Sequence, residues 1–245
     1  MIYQSGNRPL RTRRSVGGCI VGIVVLLLVA GILGFVITRT HNGTTLSVGA
    51  HPTIIGDSCS DTVFIQAGAE KQVTIAGLSS PDYTQDNASN TIEFTQCDNG
   101  LTLTVPPETN LQIDTSDEIT VLGVSGTLNL STNGSRIALE DVILEGKSKV
   151  DDNGGAIVFN GNVAQGSTPV ISDNGGSIDM TLPASASFHL HLTGILGPIA
   201  SNFPGVQNTG IDETELQVNI GSDPTAVQLT LDLNDTSVVL SKGTQ

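Results

Sequence analysis

The stretch STNGSRIALEDVILEGKSKVDDNGGAIVFNGNVAQGSTPVISDNGGSIDMTLP, from Ser131 to Pro183, repeats itself. Asn133-Gly134, Asn153-Gly154-Gly155 and Asn174-Gly175-Gly176 recur at intervals of 20 and 21 residues, and each leads into a short run centred on isoleucine: SRIAL, AIVF, SIDM. Asn-Gly suits a backbone with positive φ, so these pairs read as turns feeding strands. An interval of about 20 residues holds two short strands and two turns. Units of that kind stack as the coils of a β-solenoid, each completing its neighbour's hydrophobic face. A meander of Asn-Gly hairpins is the alternative that uses the same turns.

Outward from this stretch the same pattern continues. Leu101-Thr-Leu-Thr-Val105, Leu111-Gln-Ile113, Phe188-His-Leu-His-Leu192 and Val227-Gln-Leu-Thr-Leu-Asp-Leu233 alternate apolar and polar residues, the period of a strand with one buried face. A second correspondence runs at an offset of 77 residues. Leu101, Leu103, Val105, Pro106, Leu111 and Ile113 match Ile178, Met180, Leu182, Pro183, Phe188 and Leu190. In both copies proline stops one alternating strand and a second begins after four intervening residues, which places a corner at Pro106 and at Pro183. Helix formers are sparse after Thr40, so the expected class is all-β, with a single solenoid-like domain over residues 61–245 preceded by a linker and the start of a cap over 39–60.

The charge is unevenly shared. Residues 1–40 hold five of the ten Lys and Arg and no acid, which leaves Lys71, Arg136, Lys147, Lys149 and Lys242 against all 24 acids, a net charge of −19 over the remainder. Such a surface repels phosphate backbones and anionic head groups, so no nucleic-acid partner is expected. The acids are scattered singly, as on a soluble, non-sticky surface.

The N-terminus supplies an address. Arg8, Arg11, Arg13 and Arg14 precede an uncharged run, VGGCIVGIVVLLLVAGILGFVIT from Val16 to Thr38, that as a helix is long enough to cross a hydrocarbon core of about 30 Å. The expectation is a cytosolic basic tail over 1–15, a transmembrane helix over 16–38 that makes the lipid bilayer a partner, and an extracytoplasmic remainder, since only Arg39 flanks the far side. A cleaved secretory signal is the competing reading, and it asks for a shorter apolar region followed by small residues. Cys19 follows Val16-Gly17-Gly18 like a lipobox cysteine, yet it precedes the apolar stretch instead of ending it, which argues against lipidation. Gly18 and Gly22 form a GxxxG pair, a candidate homodimer contact, although small residues are common in membrane helices. Cys59 and Cys97 are the other cysteines. An oxidising compartment favours a bridge between them, worth about 3 to 4 kcal/mol in the chain-entropy model, with free thiols as the alternative that spacing does not exclude.

With these features in place, the chain resembles the bacterial "putative adhesin" family of repetitive β-strand domains, related to the head domains called GIN. The units SDNGGSIDMTLP and VDDNGGAIVFNG, the proline corner, the closing TLDLNDTSVVLSKG and the anchor carry the resemblance, which extends from about Val63 to Lys242. It implies a right-handed β-solenoid on the outside of a cell, behind one membrane helix or a signal peptide. The family has no catalytic residues to carry over.

No residue pattern argues for chemistry. His189 and His191, at i and i+2, share the face opposite Phe188, Leu190 and Leu192 and offer half a zinc or copper site with no third ligand in reach of the sequence. Asp151, Asp152, Asn153, Asp173 and Asn174 cluster at the glycine turns, as in calcium-binding turns, but the nonapeptide spacing is absent and such side chains bond the local backbone. The adjacent acids Asp117-Glu118 and Glu140-Asp141 point to opposite faces of a strand and make no dyad. After residue 40 there is no Trp and only Tyr83, which removes the usual stacking platform of a glycosidase. The expected function is a non-enzymatic adhesion or envelope-interaction module with an unidentified extracellular partner, without catalytic residues, cofactor or metal. The alternative is the ectodomain of an envelope-sensing or scaffold protein acting through an intramembrane partner.

Overall fold

The computed structural model describes residues 43–76, 82–97, 100–206, 214–223 and 227–243. The basic tail, the apolar run over 16–38, Cys19 and the Gly18–Gly22 pair lie outside the described residues. Among the described residues no helix is long and apolar enough to cross a membrane.

The described residues form 19 strands in one open, mixed sheet and no helix. In chain order these are β1 (Thr44–Ser47), β2 (Thr53–Cys59), β3 (Val63–Ala67), β4 (Gln72–Ala76), β5 (Asp82–Asp86), β6 (Thr91–Gln96), β7 (Leu101–Val105), β8 (Asn110–Thr115), β9 (Ile119–Leu122) and β10 (Ser125–Gly126). There follow β11 (Leu128–Thr132), β12 (Arg136–Leu144), β13 (Lys149–Asp152), β14 (Ala156–Val163), β15 (Val170–Asn174), β16 (Ser177–Pro183), β17 (Phe188–Ser201), β18 (Glu215–Ile220) and β19 (Gln228–Gly243).

Successive strands alternate between two parallel ladders. One runs β6, β2, β8, β11, β13, β15, β19, β17. The other runs β7, β3, β9, β12, β14, β16, β19 and the end of β17. The Asn-Gly turns therefore join strands of different ladders. Asn153-Gly154-Gly155 leads from β13, whose partners are β11 and β15, to β14, whose partners are β12 and β16, so these turns close no hairpin.

The buried faces explain why the coils stack. Ile113, Leu130, Val150, Ile171, Leu231 and Leu192 pair in register across the first ladder, and Val121, Leu139, Phe159, Met180 and Leu240 across the second. All are at most 2% exposed. Each such side chain contributes about 1.5 to 3 kcal/mol when removed from water, and a coil alone has no second layer against which to bury it. Polar residues alternate with them along each strand, so a slip of one position would bring Asp and Ser inward.

Both proline corners connect the ladders: Pro106 lies between β7 and β8, and Pro183 ends β16 ahead of β17. Thr109 Oγ1 donates to the Pro106 carbonyl at 2.7 Å, and the Ala186 amide to that of Pro183 at 2.9 Å.

The ends of the stack depart from chain order. The β2–β3 coil sits between the β6–β7 and β8–β9 coils, and β19 sits between the β15–β16 coil and β17. Antiparallel strands flank the coils: β5 on β6, β4 on β7, β1 on β4 and β18 on β17. Residues 39–60 thus contribute β1 and β2 to the sheet. A disulfide joins Cys59, at the end of β2, to Cys97, just beyond β6, with Cα atoms 4.9 Å apart.

Candidate functional site

Two surfaces built by the stacking hold the residues that the sequence singles out: the turn ridge between the ladders and the outer face of the first ladder.

At the ridge, four turns lie in register. Asn133-Gly134-Ser135, Asn153-Gly154-Gly155 and Asn174-Gly175-Gly176 link aligned strands, and Asn234-Asp235-Thr236 is the point within β19 where its partner changes from β15 to β16. The second position has positive φ in every coil, 79°, 98° and 92° at the glycines and 56° at Asp235. Asp is among the few residues that tolerate this region, which is why it substitutes there.

The asparagines form a ladder. Asn153 Nδ2 donates to Asn133 Oδ1 at 3.0 Å, Asn174 Nδ2 to Asn153 Oδ1 at 2.7 Å, and Asn234 Nδ2 to Asn174 Oδ1. All amide dipoles point the same way along the ridge, the arrangement in which neighbouring hydrogen bonds polarise one another. Replacing Asn153 with Ala removes one donated and one accepted bond from an exposed site. The expected cost is about 1 kcal/mol, read as a thermal midpoint lower by about 2 to 4 °C. An unchanged midpoint in Asn153→Ala would show that the ladder adds no stability.

Beneath the asparagines, Asp152 and Asp173 turn inward, each 2% exposed. Asp152 Oδ2 accepts the Gly155 amide at 2.5 Å and Asp173 Oδ2 the Gly176 amide at 2.9 Å, so each carboxylate ties its own turn. Asp152 Oδ1 also accepts Thr132 Oγ1 at 2.6 Å and the Gly134 amide at 3.2 Å. The acids that resemble a calcium-binding turn in sequence are thus split: Asp152 and Asp173 serve the backbone, and Asp151 faces outward, 2.9 Å from Lys149 Nζ. Among the described residues no group of three or more His, Cys, Asp or Glu is arranged to hold a metal ion.

The outer face carries a row that no single strand contains. Asp114, Ser131, Asp151, Ser172, Asp232, Thr193 and Glu215 pair in turn across β8, β11, β13, β15, β19, β17 and β18. Acid and hydroxyl alternate along it. With neighbouring strands roughly 4.8 Å apart, each carboxylate is about 9.5 Å from the next, close to the screening length at physiological salt, so the hydroxyls dilute the repulsion. The parallel row is Gln112, Asn129, Lys149, Val170, Thr230, His191 and Gln217.

His189 and His191 sit on this face, bonded to β18. His189 Nδ1 lies 2.7 Å from Asn219 Oδ1 and His191 Nε2 lies 2.9 Å from Glu215 Oε1. The Gln217 amide, then the His191 ring, holds the Glu215 carboxyl below the usual carboxylate range.

The adjacent acids behave differently from a regular strand. Asp141, with φ 54°, occupies a bulge where the register of β12 with β14 shifts, and Glu140 and Asp141 are both exposed. The bulge breaks the alternation that the sequence pattern assumes. Glu118 pairs with Arg136 at 3.1 Å, and Asp117 accepts Thr62 Oγ1 at 3.3 Å. Tyr83 packs its ring against Phe94, with centroids 6.1 Å apart.

No protein-family model and no curated protein matches this chain. It is similar to a solved structure described as a putative cell adhesion protein from Clostridium sporogenes. The two share 12% sequence identity, with 82% of this chain and 99% of that chain covered and a TM-score of 0.43.

Proposed function

We propose that the chain is a single-pass, membrane-anchored module of the cell surface: a right-handed β-solenoid, without catalysis, that acts in adhesion or envelope interaction through its outer face and turn ridge. The row from Asp114 to Glu215 is the observation that supports this reading most. It presents alternating carboxylates and hydroxyls at a repeat fixed by the backbone ladders, on a surface held rigid by the stacked core beneath. An array of that kind suits an extended, repetitive partner that supplies hydrogen-bond donors, and its charge disfavours anionic polymers. The basic tail and the apolar run over 16–38 support tethering of this surface outside the membrane.

Cells that make the full chain are compared with cells lacking the gene, and with cells making the Asp114→Asn, Asp151→Asn, Asp232→Asn triple variant. The expected result is weaker surface attachment or a leakier envelope in the deletion strain, with the triple variant reaching the surface yet failing to restore it. If deletion leaves both properties unchanged the reading is lost. If the triple variant restores them fully, the row is not the contact.

A further inference from the structure

Asp152 and Asp173 are paired positions in adjacent coils, β13 and β15, and both are turned into the protein. Their ends are capped by hydroxyls. Thr132 Oγ1 in the preceding coil donates to Asp152, and Thr236 Oγ1 in the following coil donates to the Asp173 carbonyl at 2.8 Å. Hydrogen bonding along this column is uneven. Asp152 uses both oxygens, whereas Asp173 Oδ1 is buried with no hydrogen-bond partner. A buried carboxylate oxygen without a donor is costly while charged and much less so once protonated.

We propose that this stacked acid pair is an acid-tightened latch, which grips the turn ridge of β13, β15 and β19 more firmly when a proton replaces the charge on Asp173. Geometry restricts what can answer that charge. Asp152 from β13 is the titratable group that faces it, the Gly176 amide supplies a neutral donor to Oδ2, and the Thr236 hydroxyl from β19 is turned to the Asp173 backbone carbonyl. Lys149, Asp151 and Asp232 lie on the opposite, outer face of the same strands, and Asp235 is exposed in the last turn. No cation among the described residues reaches the pair. Burial pushes the Asp173 carboxyl above its ordinary value of 3.8, against the hydrogen bond from the Gly176 amide, and the Asp152 charge adds to the push.

The direction of the effect follows from linkage. A carboxyl that holds its proton more tightly when folded than when unfolded makes the folded state the larger proton acceptor. Stability therefore grows as the pH falls from the folded value of Asp173 toward 3.8, and is lost again as the pH rises through that folded value. Asp86 and Glu215, whose carboxyls are held below the ordinary range by hydrogen bonds, work the other way.

The test uses the full chain held in detergent micelles, with thermal midpoints read by circular dichroism between neutral pH and the ordinary Asp range. Asp173→Asn keeps the shape and removes the charge. Its midpoint is expected to lie about 2 to 4 °C above that of the unaltered chain near neutral pH, with the gain shrinking on acidification. A variant no more stable than the unaltered chain at neutral pH, or a gain independent of pH, would overturn the latch. Carbon-13 titration of Asp173 in the unaltered chain gives a reading that needs no variant. A midpoint above the ordinary Asp value supports the proposal, and one at or below it defeats it. Calcium serves as the control probe: stabilisation by millimolar calcium that Asp173→Asn abolishes would mean a cation seat in place of a proton latch.

Discussion

Gly176→Ala is expected to lower the thermal midpoint by about 10 °C, the effect of roughly 3 to 5 kcal/mol on a domain of this size, while Gly175→Ala beside it costs only about 1 to 2 kcal/mol. The two glycines are required for different reasons. Gly175 has φ 92°, where a side chain strains the backbone, but a Cβ there meets nothing within 4 Å. Gly176 is not in the left-handed region, yet a Cβ there would lie 2.0 Å from the Gly155 carbonyl oxygen and 2.9 Å from Asp173 Oδ2. That carbonyl already accepts the Ser177 amide at 3.1 Å, so moving it away breaks the coil-to-coil bond on which the turn depends. Moving the Asp173 carboxylate instead gives up the bond that ties the turn to its own strand.

Gly155 repeats the arrangement one coil earlier and more tightly. Its Cβ would lie 1.6 Å from the Ser135 carbonyl oxygen, which accepts the Ala156 amide at 3.0 Å. Gly155→Ala should therefore cost at least as much as Gly176→Ala. Circular dichroism melts of the three variants decide the matter: if Gly175→Ala matches or exceeds Gly176→Ala, backbone strain and not the approach of the coils is what selects glycine here.

These turns also show how far the sequence could be read. The spacing of the Asn-Gly pairs sets the length of chain in each coil, and the alternation of apolar residues sets which face is buried, because both are local consequences of a chain that returns to the same place every coil. The fourth turn, Asn234-Asp235-Thr236, is less visible. It stacks on Asn174-Gly175-Gly176 at a separation of 60 residues, since β17 and β18 intervene, and Asp235 replaces the glycine at positive φ. An Asn followed by an Asp between two alternating strands was its signal.

The order of the end coils has no local signature at all. Nothing in the residues of β2 says that β6 and β8 will flank it, because both are apolar-alternating strands of compatible length. The polar row is illegible for the same reason: Asp114, Ser131 and Asp151 are unremarkable apart, and only the ladder registers align them. The bulge at Asp141 likewise depends on a close approach, since the partner residue Gly161 would place a Cβ 2.2 Å from the Val142 carbonyl.

Replacing both Cys59 and Cys97 with Ser is expected to destabilise the domain by about 3 to 4 kcal/mol, and to lower the midpoint by about 10 °C. The bridge spans 38 residues of sequence, and this loop contains β3, β4, β5 and β6. Without it the unfolded chain regains the freedom of that whole segment, the main source of the loss in the chain-entropy model. The effect should be felt most at the N-terminal end of the stack. There the β2–β3 coil must settle between β6–β7 and β8–β9 although it precedes both in sequence, so its placement closes a long loop before its contacts form. A bridge between the end of β2 and the residue beyond β6 holds two neighbouring coils together while that happens. Refolding of the double variant should accordingly slow more than its unfolding speeds up, if the pairing of β2 with β6 is formed in the transition state. Urea unfolding of the oxidised chain, the reduced chain and the double variant separates the contributions. The reduced chain and the variant should agree in midpoint and show a steeper denaturant dependence than the oxidised chain, because their unfolded states expose more surface. Identical midpoints in all three would mean that the stacked coils alone order the N-terminal end and that the bridge adds nothing to them.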